Sequence, residues 1–383
     1  MTVRKLNVLL YSEGWGNGGI ESFIVNLIKA VDQEKFSFDV FCTHDTDSIY
    51  DTMLNNQSIS RYVVFKGYKP NLIKRLFAST RAWRNQLFQK QYDAVHINTM
   101  NGIGFIYAAI AERAGVPVRI VHSHNSRFGC GMEPIKQVAH RLGRVLWQKS
   151  ATVQLACSQD AGKYLFGDTA FSVLPNAIDV DRFRYSEENR KTMRSKLNIR
   201  EGEILLGNLG RLSEAKNPLF QLDIFSEFLQ DNPEAKYLMV GKGELDEVVS
   251  DAIQKKNLAS SVIRIDGTDR PEDVYSALDA FLMPSLFEGL AMTCIEAQCN
   301  GLPVLASDKI SQEVDLTDLV KHESLNNNKC LWAEDIGLLT RIKRQRELYA
   351  DQIKEKGYSL KDLNTKVESI YANEDIITEA RWD

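Results

Sequence analysis

Ala280-Phe281-Leu282-Met283-Pro284-Ser285-Leu286-Phe287-Glu288-Gly289-Leu290-Ala291-Met292-Thr293-Cys294-Ile295-Glu296-Ala297 reads as a buried strand, a turn and a helix. Four apolar residues stop at a proline, a short loop carries a carboxylate and a glycine, and a helix from about 291 to 299 follows. Gly289 lets the backbone approach a ligand closely. The new helix aims free N–H groups and the positive end of its dipole at whatever lies in front, which suits an anionic diphosphate. Glu296 then stands nearly two turns into the helix, where a carboxylate accepts paired hydrogen bonds from a ribose diol, while Glu288 in the loop meets a sugar hydroxyl. The plain alternative is a surface turn capped by glutamate, and the companions of the motif weigh against it.

The same alternation runs along the whole chain. Segments 6–11, 38–42, 93–97, 118–122 and 152–156 read as short apolar strands, with helical periodicity at 20–31 and 103–113. A second series starts at 204–207 and continues at 237–240, 262–265, 280–283 and 303–306. Apolar strands joined by helical crossovers specify parallel sheets covered on both faces, so the expected fold is α/β with two Rossmann-like, doubly wound domains. A chain of 383 residues also exceeds one comfortable core. Turn formers in Pro175-Asn176-Ala177-Ile178-Asp179-Val180-Asp181-Arg182-Phe183 mark the boundary. The expected domains are 1–175 and 176–358, with a last helix at about 360–383 packing back on the first.

In open α/β sheets ligands bind beyond the carboxyl ends of the strands. After the first strand, Gly14-Trp15-Gly16-Asn17-Gly18-Gly19-Ile20-Glu21 leads into a helix and can present amides to a phosphate or an acceptor; it lacks the flanking context of a nicotinamide site. After the strand near 118–121 comes His122-Ser123-His124-Asn125. The expectation there is that the two histidines face opposite sides, so that at most one meets a ligand, and which one stays open. In Gly210-Arg211-Leu212-Ser213-Glu214-Ala215-Lys216-Asn217-Pro218 an arginine and a lysine can converge on one dianion, the first with a planar fork and the second as a point charge. Val240-Gly241-Lys242-Gly243-Glu244 ends the next strand with two glycines that open room for a nucleotide. Asp179-Val180-Asp181 has the spacing of an Asp-x-Asp metal motif but belongs to the boundary.

The net charge of −4 hides an asymmetry. Residues 1–175 carry 20 Lys and Arg against 13 Asp and Glu, so the remainder holds the acidic excess. Between Thr52 and Tyr92 there are eight cations, Arg61, Lys66, Lys69, Lys74, Arg75, Arg81, Arg84 and Lys90, and no acid. Leu72, Ile73, Leu76, Phe77, Trp83, Leu87 and Phe88 recur there at helical spacing, and 136–149 repeats the pattern with Arg141, Arg144 and Trp147. A solvated helix face is the plain reading; the functional one is a surface drawn to anionic lipid, with Phe77 and Trp83 adding apolar insertion. The six cysteines, Cys42, Cys130, Cys157, Cys294, Cys299 and Cys330, form no C-x-x-C pair and read as reduced thiols. No signal-peptide core or membrane-length apolar run is present, so the expected location is cytoplasmic, with contact at the inner face of the cell membrane as a further expectation.

Gly18-Gly19-Ile20-Glu21, a strand-end histidine, Pro175-Asn176-Ala177-Ile178-Asp179, Gly210-Arg211…Lys216-Asn217-Pro218, Gly241-Lys242-Gly243 and Glu288…Glu296 stand in the order seen in retaining family-four glycosyltransferases. Over roughly 5–310 the chain resembles that family, whose GT-B fold sets two Rossmann-like domains facing a cleft. The resemblance implies a UDP-sugar donor held mainly by the second domain and a glycan or polyprenyl-diphosphate-linked acceptor held mainly by the first. It also implies no cofactor, no metal and no nucleic-acid partner. Carried over residue by residue, Arg211 and Lys216 bind the diphosphate, Glu296 the ribose, Glu288 the transferred sugar and the loop Thr268-Asp269-Arg270 the base, with His122 or His124 completing the catalytic set. Gly18, Gly19, Gly210, Gly241 and Gly243, together with Phe287, Gly289, Leu290, Ala291, Met292 and Thr293, complete the donor site. Glu21, Asn125 and Asn176 fall on the acceptor side. The His-Ser-His-Asn form and the segment 307–332 look like the bacterial capsule and exopolysaccharide branch. Ala177 and Ala291 depart from the glycine and proline common at those places. Fixed cations and a helix dipole would then stabilise the leaving diphosphate, which helps deprotonate the acceptor on the same face of the sugar. A UDP-sugar epimerase of the same fold and an inactive accessory subunit are the alternatives.

Overall fold

A computed structural model of the chain describes residues 4–46, 48–126, 133–288, 290–342 and 344–372. The chain divides into two compact units, 1–177 together with 360–383, and 178–359. The first is built on seven parallel strands: β1 (Leu6–Trp15), β2 (Phe36–Asp45), β3 (Ser60–Phe65), β4 (Ala94–Thr99), β5 (Val118–Ser123), β6 (Val153–Ala156) and β7 (Ser172–Val173), in the order β3-β2-β1-β4-β5-β6-β7. The second has six: β8 (Leu205–Leu209), β9 (Lys236–Val240), β10 (Val262–Ile265), β11 (Ala280–Met283), β12 (Val304–Ser307) and β13 (Val320–Glu323), ordered β10-β9-β8-β11-β12-β13 and again parallel. Each sheet winds outward in both directions from its first strand. The strand order therefore reverses between β1 and β4 and between β8 and β11, the places where doubly wound sheets bind ligands.

Both faces of each sheet are covered, which is why the strands read as apolar runs rather than alternating ones. In the second unit the pleat sorts them: Leu205, Leu209, Phe281 and Met283 pack into one cluster, and Leu206, Ala280 and Leu282 into the cluster on the other side. In the first unit Val8, Leu10, Phe23 and Phe36 share a core with Leu363, Val367 and Tyr371 of the helix Leu360–Tyr371. The remainder of the helix expected over 360–383, from 373 onward, lies outside the described residues.

The basic stretch 53–91 holds more than a helix. Ser60–Phe65 is a strand paired with β2, Phe41 beside Tyr62 and Cys42 beside Val63, and the helix proper is Leu72–Gln89. That helix turns Trp83 fully inward, where its indole N–H donates to the Tyr107 carbonyl at 3.1 Å, so Trp83 is a core residue and not an inserting one. Phe77 is exposed. Cys42, Cys157, Cys294 and Cys299 are buried free thiols; Cys330 is exposed and Cys130 lies outside the described residues. Among the described residues no helix is long and apolar enough to cross a membrane.

Candidate active site

In the second unit the loops after β8 and β11 are stitched together. Asn217 takes a left-handed backbone (φ 52°) at the start of the helix Pro218–Asp231 and donates from Nδ2 to the Pro284 carbonyl at 3.2 Å. The Leu286 amide donates back to the Ala215 carbonyl at 2.8 Å. Lys216 is thereby set against Glu288, Nζ to Oε1 at 2.6 Å, with both side chains mostly buried. Two residues 72 positions apart become one partly desolvated ion pair, in which loss of either partner leaves an uncompensated charge.

Arg211 behaves differently. Its side chain is 74% exposed and donates from Nε to Glu244 at 2.9 Å. The expected convergence of Arg211 and Lys216 is therefore absent here: each flexible cation has taken a different carboxylate, Arg211 Glu244 and Lys216 Glu288.

Glu296 lies on the helix Met292–Cys299, half-buried, and accepts from the Tyr275 hydroxyl at 2.7 Å. Burial pushes its carboxyl up to about 7, against the downward pull of that hydrogen bond and of Arg182 and Lys216. Arg182 is a site residue that the boundary segment hid. Asp179 caps its short helix by accepting from the Arg182 amide at 3.1 Å, and its guanidinium donates from Nε to Glu272 at 2.9 Å. Ala291 is the buried residue preceding the helix, with Phe287, Leu290, Met292 and Thr293 half-buried around it, while Gly289 lies outside the described residues.

The glycines after β9 have a structural task. Gly241 has φ 133°, and a Cβ there would lie 2.1 Å from the Gly210 carbonyl oxygen; one at Gly243 would lie 2.2 Å from that of Leu212. Leu212 N–H donates to the Lys242 carbonyl at 3.1 Å. These glycines let the loop after β9 lie backbone to backbone against the Arg211 loop, a packing demand that the sequence reading did not include. Beyond β10, Thr268 Oγ1 accepts from the Arg270 amide at 3.0 Å, Arg270 forks onto Asp273 at 2.7 and 2.9 Å, and the Asp269 carbonyl accepts from Arg182.

The first unit supplies an uncharged site. His122 and His124 lie with ring centroids 4.1 Å apart, on the same side of the chain. The expectation of opposite faces is wrong, because strand side chains alternate and residues two apart share a face. A third histidine, His96 of β4, joins them: its Nε2 is 3.1 Å from His122 Nδ1 and its Nδ1 is 2.8 Å from the Tyr371 hydroxyl. Phe23 packs against all three rings. Burial pushes His96 and His124 down to about 3 and His122 well below its ordinary value, so the cluster is neutral at ordinary pH. His122 Nε2, beside the Leu174 backbone, has no hydrogen bond of normal geometry. Asn125 follows, half-buried, and the buried Asn176 has an unpartnered Oδ1.

Gly18 and Gly19 open the helix Gly19–Ala30, and Glu21 turns back on that helix start. Its carboxylate accepts from the Ser12 hydroxyl at 3.5 Å and lies by the amides of Gly18 and Glu21, which favour its charged form. Burial nevertheless raises its pKa. Sequence reasoning missed His96, Asn98 and Tyr371; the available signal was two polar residues spaced by two inside the buried strand Ala-Val-His-Ile-Asn-Thr.

Residues 17–182 match the family described as Glycosyltransferase Family 4, and residues 189–330 the one described as Glycosyl transferases group 1. Across 96% of this chain and 100% of that one, the fold also matches HepE of Anabaena solved with UDP-glucose, at TM-score 0.76 and 17% identity. The chain is a glycosyltransferase of the GT-B class. EpsF of Bacillus subtilis (strain 168), which bears the glycosyltransferase name without a stated substrate, is 29% identical over 94% of each chain. The UDP-Gal:alpha-D-GlcNAc-diphosphoundecaprenol alpha-1,3-galactosyltransferase of Escherichia coli is 25% identical over 58% of this glycosyltransferase and 59% of its own length.

Proposed function

We propose that this glycosyltransferase moves a hexose from a UDP-sugar to a glycan or lipid-linked acceptor with retention of anomeric configuration, in capsule or exopolysaccharide assembly. The observation that carries the reading is the Lys216–Glu288 pair beside the raised Glu296 carboxyl, at the switch point of the second sheet. Each member matches one part of the donor. Lys216 is a cation for the diphosphate, freed as its partner Glu288 turns to a sugar hydroxyl, and Glu296 accepts from the ribose diol. Arg211, mobile at the surface, swings from Glu244 to the same diphosphate. Thr268, Asp269 and Arg270 meet the base. Lys216, Arg211 and the start of the helix Met292–Cys299 stabilise the charge that develops on the leaving group, and no metal is required in this reading. The leaving phosphate takes the acceptor proton on the same face of the sugar. Incubation with a panel of UDP-sugars with and without EDTA tests it: UDP release that survives the chelator is the expected result. Chelator loss restored by Mn²⁺ contradicts the metal-free route, and a free epimerised sugar contradicts transfer.

The acceptor side is proposed to work at the inner face of an anionic membrane. Two helices of the first unit pack against the helix Gly104–Arg113. The helix Leu72–Gln89 exposes Ile73, Phe77 and Phe88 beside Lys74, Arg81 and Arg84. The helix Glu133–Trp147 packs His140 and Gly143 inward and turns Val138, Leu142, Val145 and Leu146 to solvent, with Arg141 and Lys149 alongside. Apolar side chains facing outward among unopposed cations suit the interface of an anionic bilayer. Arg75 drops out of the basic strip, since it is spent on Glu13 at 2.8 Å.

A further inference from the structure

Asn98 of β4 lies between two groups that together fix its orientation. Its Nδ2 is 3.1 Å from the Tyr11 carbonyl oxygen and its Oδ1 is 2.9 Å from His124 Nε2. A backbone carbonyl only accepts, so the amide atom facing Tyr11 must be the nitrogen and the one facing His124 the oxygen. An amide oxygen likewise only accepts, so His124 Nε2 must carry the proton. A neutral imidazole has one N–H, and the other nitrogen is then a bare lone pair. That nitrogen, Nδ1, is buried without a hydrogen-bond partner in a side chain only 7% exposed. Such an atom calls for a donor.

His122 has no such lock. Its Nδ1 faces His96 Nε2, and His96 Nδ1 faces the Tyr371 hydroxyl, a group that both donates and accepts. The Leu174 backbone beside His122 Nε2 favours the proton there, but no hydrogen bond of normal geometry holds it. Of the two histidines, only His124 has its tautomer set by a hydrogen bond of normal geometry to a group that cannot change role. Its backbone is fixed as well, the His124 amide donating to the Thr99 carbonyl at 3.0 Å.

We propose that Asn98, oriented by the Tyr11 carbonyl, is a positioning residue that locks His124 with Nε2 protonated and leaves its Nδ1 to accept a hydrogen bond from a hydroxyl of the sugar substrate. The inference rests on the glycosyl-transfer reading for the identity of the hydroxyl, but the lock itself is a property of the unliganded chain. The burial that keeps His124 uncharged keeps the lone pair available at neutral pH.

Two measurements on the full chain test it. In protein labelled with ¹⁵N-histidine, the His124 ring is expected to show a protonated Nε2 and a bare Nδ1, and Asn98→Ala to release it into a mixture of tautomers. A wild-type ring protonated at Nδ1 overturns the lock. In UDP release from whichever UDP-sugar the wild type turns over, Asn98→Ala is expected to lower kcat on the order of 10–100-fold, as for a displaced reacting group, with KM nearly unchanged. His124→Asn, whose oxygen reaches the δ position, should retain more kcat than His124→Gln, whose oxygen reaches the ε position. The reverse ranking, or an unchanged kcat in Asn98→Ala, overturns the role. If no UDP-sugar is turned over, the transfer reading falls while the NMR result still decides the lock.

Discussion

The two ligand-facing regions differ in kind. The histidine cluster of the first unit is uncharged, deep and held by strand neighbours; the Lys216, Glu288, Glu296 and Arg211 region of the second is charged, shallower and held by loops. Strand neighbours fix a side chain to a register, so His96, His122 and Asn98 meet partners that cannot drift. Loop cations on long stems exchange partners at small energetic cost, which suits a ligand that arrives anionic and leaves with more charge. In the proposed reading the neutral region suits contact with an uncharged hydroxyl, and the charged one suits a nucleoside diphosphate with its ribose and sugar.

The largest expected effect comes from Lys216→Ala. It removes a fixed cation and strands Glu288, and kcat/KM should fall roughly 100–1000-fold, the range for loss of an electrostatic stabiliser. A fall below tenfold, measured with saturating acceptor, would place the diphosphate elsewhere. Next in size, Glu288→Gln should impair transfer on the order of tenfold or more while leaving UDP affinity near wild type, since in the proposed reading this carboxylate meets the sugar and not the nucleotide.

Acidity separates the regions by sign. Glu296 titrates near 7 in the native state against an ordinary 4.5, so the native chain holds this proton more tightly. Its stabilising contribution is complete below about 4.5 and lost as pH rises through about 7, and Glu296→Gln should therefore be more stable than wild type at pH 8 but not at pH 4.5, read as Tm. His96 and His124 shift the other way, from 6.5 to about 3, so the stability they contribute is present above 6.5 and lost progressively on acidification. A Glu296→Gln variant with an unchanged Tm at pH 8 would break this contrast. The smallest effect is at the proposed membrane face. Lys74→Ala should weaken binding to vesicles containing phosphatidylserine by about 1 kcal/mol, roughly fivefold, and added salt should abolish the difference. Failure of the wild type to bind such vesicles at low salt would remove the lipid surface from the account.

The fold was legible because buried parallel strands announce themselves as short apolar runs between helical periods. β3 was hidden by Arg61 and by the cations around it, β7 by its brevity, two residues, and β13 by its polar composition, Val320-Lys321-His322-Glu323. In the second unit the motifs pointed to loops that the fold does bring together, since Lys216, Glu288 and Glu296 come close enough to bond or influence one another. What the motifs concealed was partner choice: Arg211 prefers Glu244 here, and Gly241 and Gly243 serve loop packing. In the first unit a linear reading finds His122 and His124, while His96 and Asn98 come from another strand, β4, and Tyr371 from a helix some 250 residues downstream, so only folding brings them together.

Calorimetric titration with UDP tests the division between the two regions most directly. Wild type should bind UDP, Glu296→Gln should bind it about 10–100-fold more weakly, as for loss of a charged hydrogen-bond acceptor, and His124→Asn should bind it like wild type. Equal UDP affinity in Glu296→Gln and wild type, or an equal loss in Glu296→Gln and His124→Asn, would contradict the assignment of the nucleotide to the second unit.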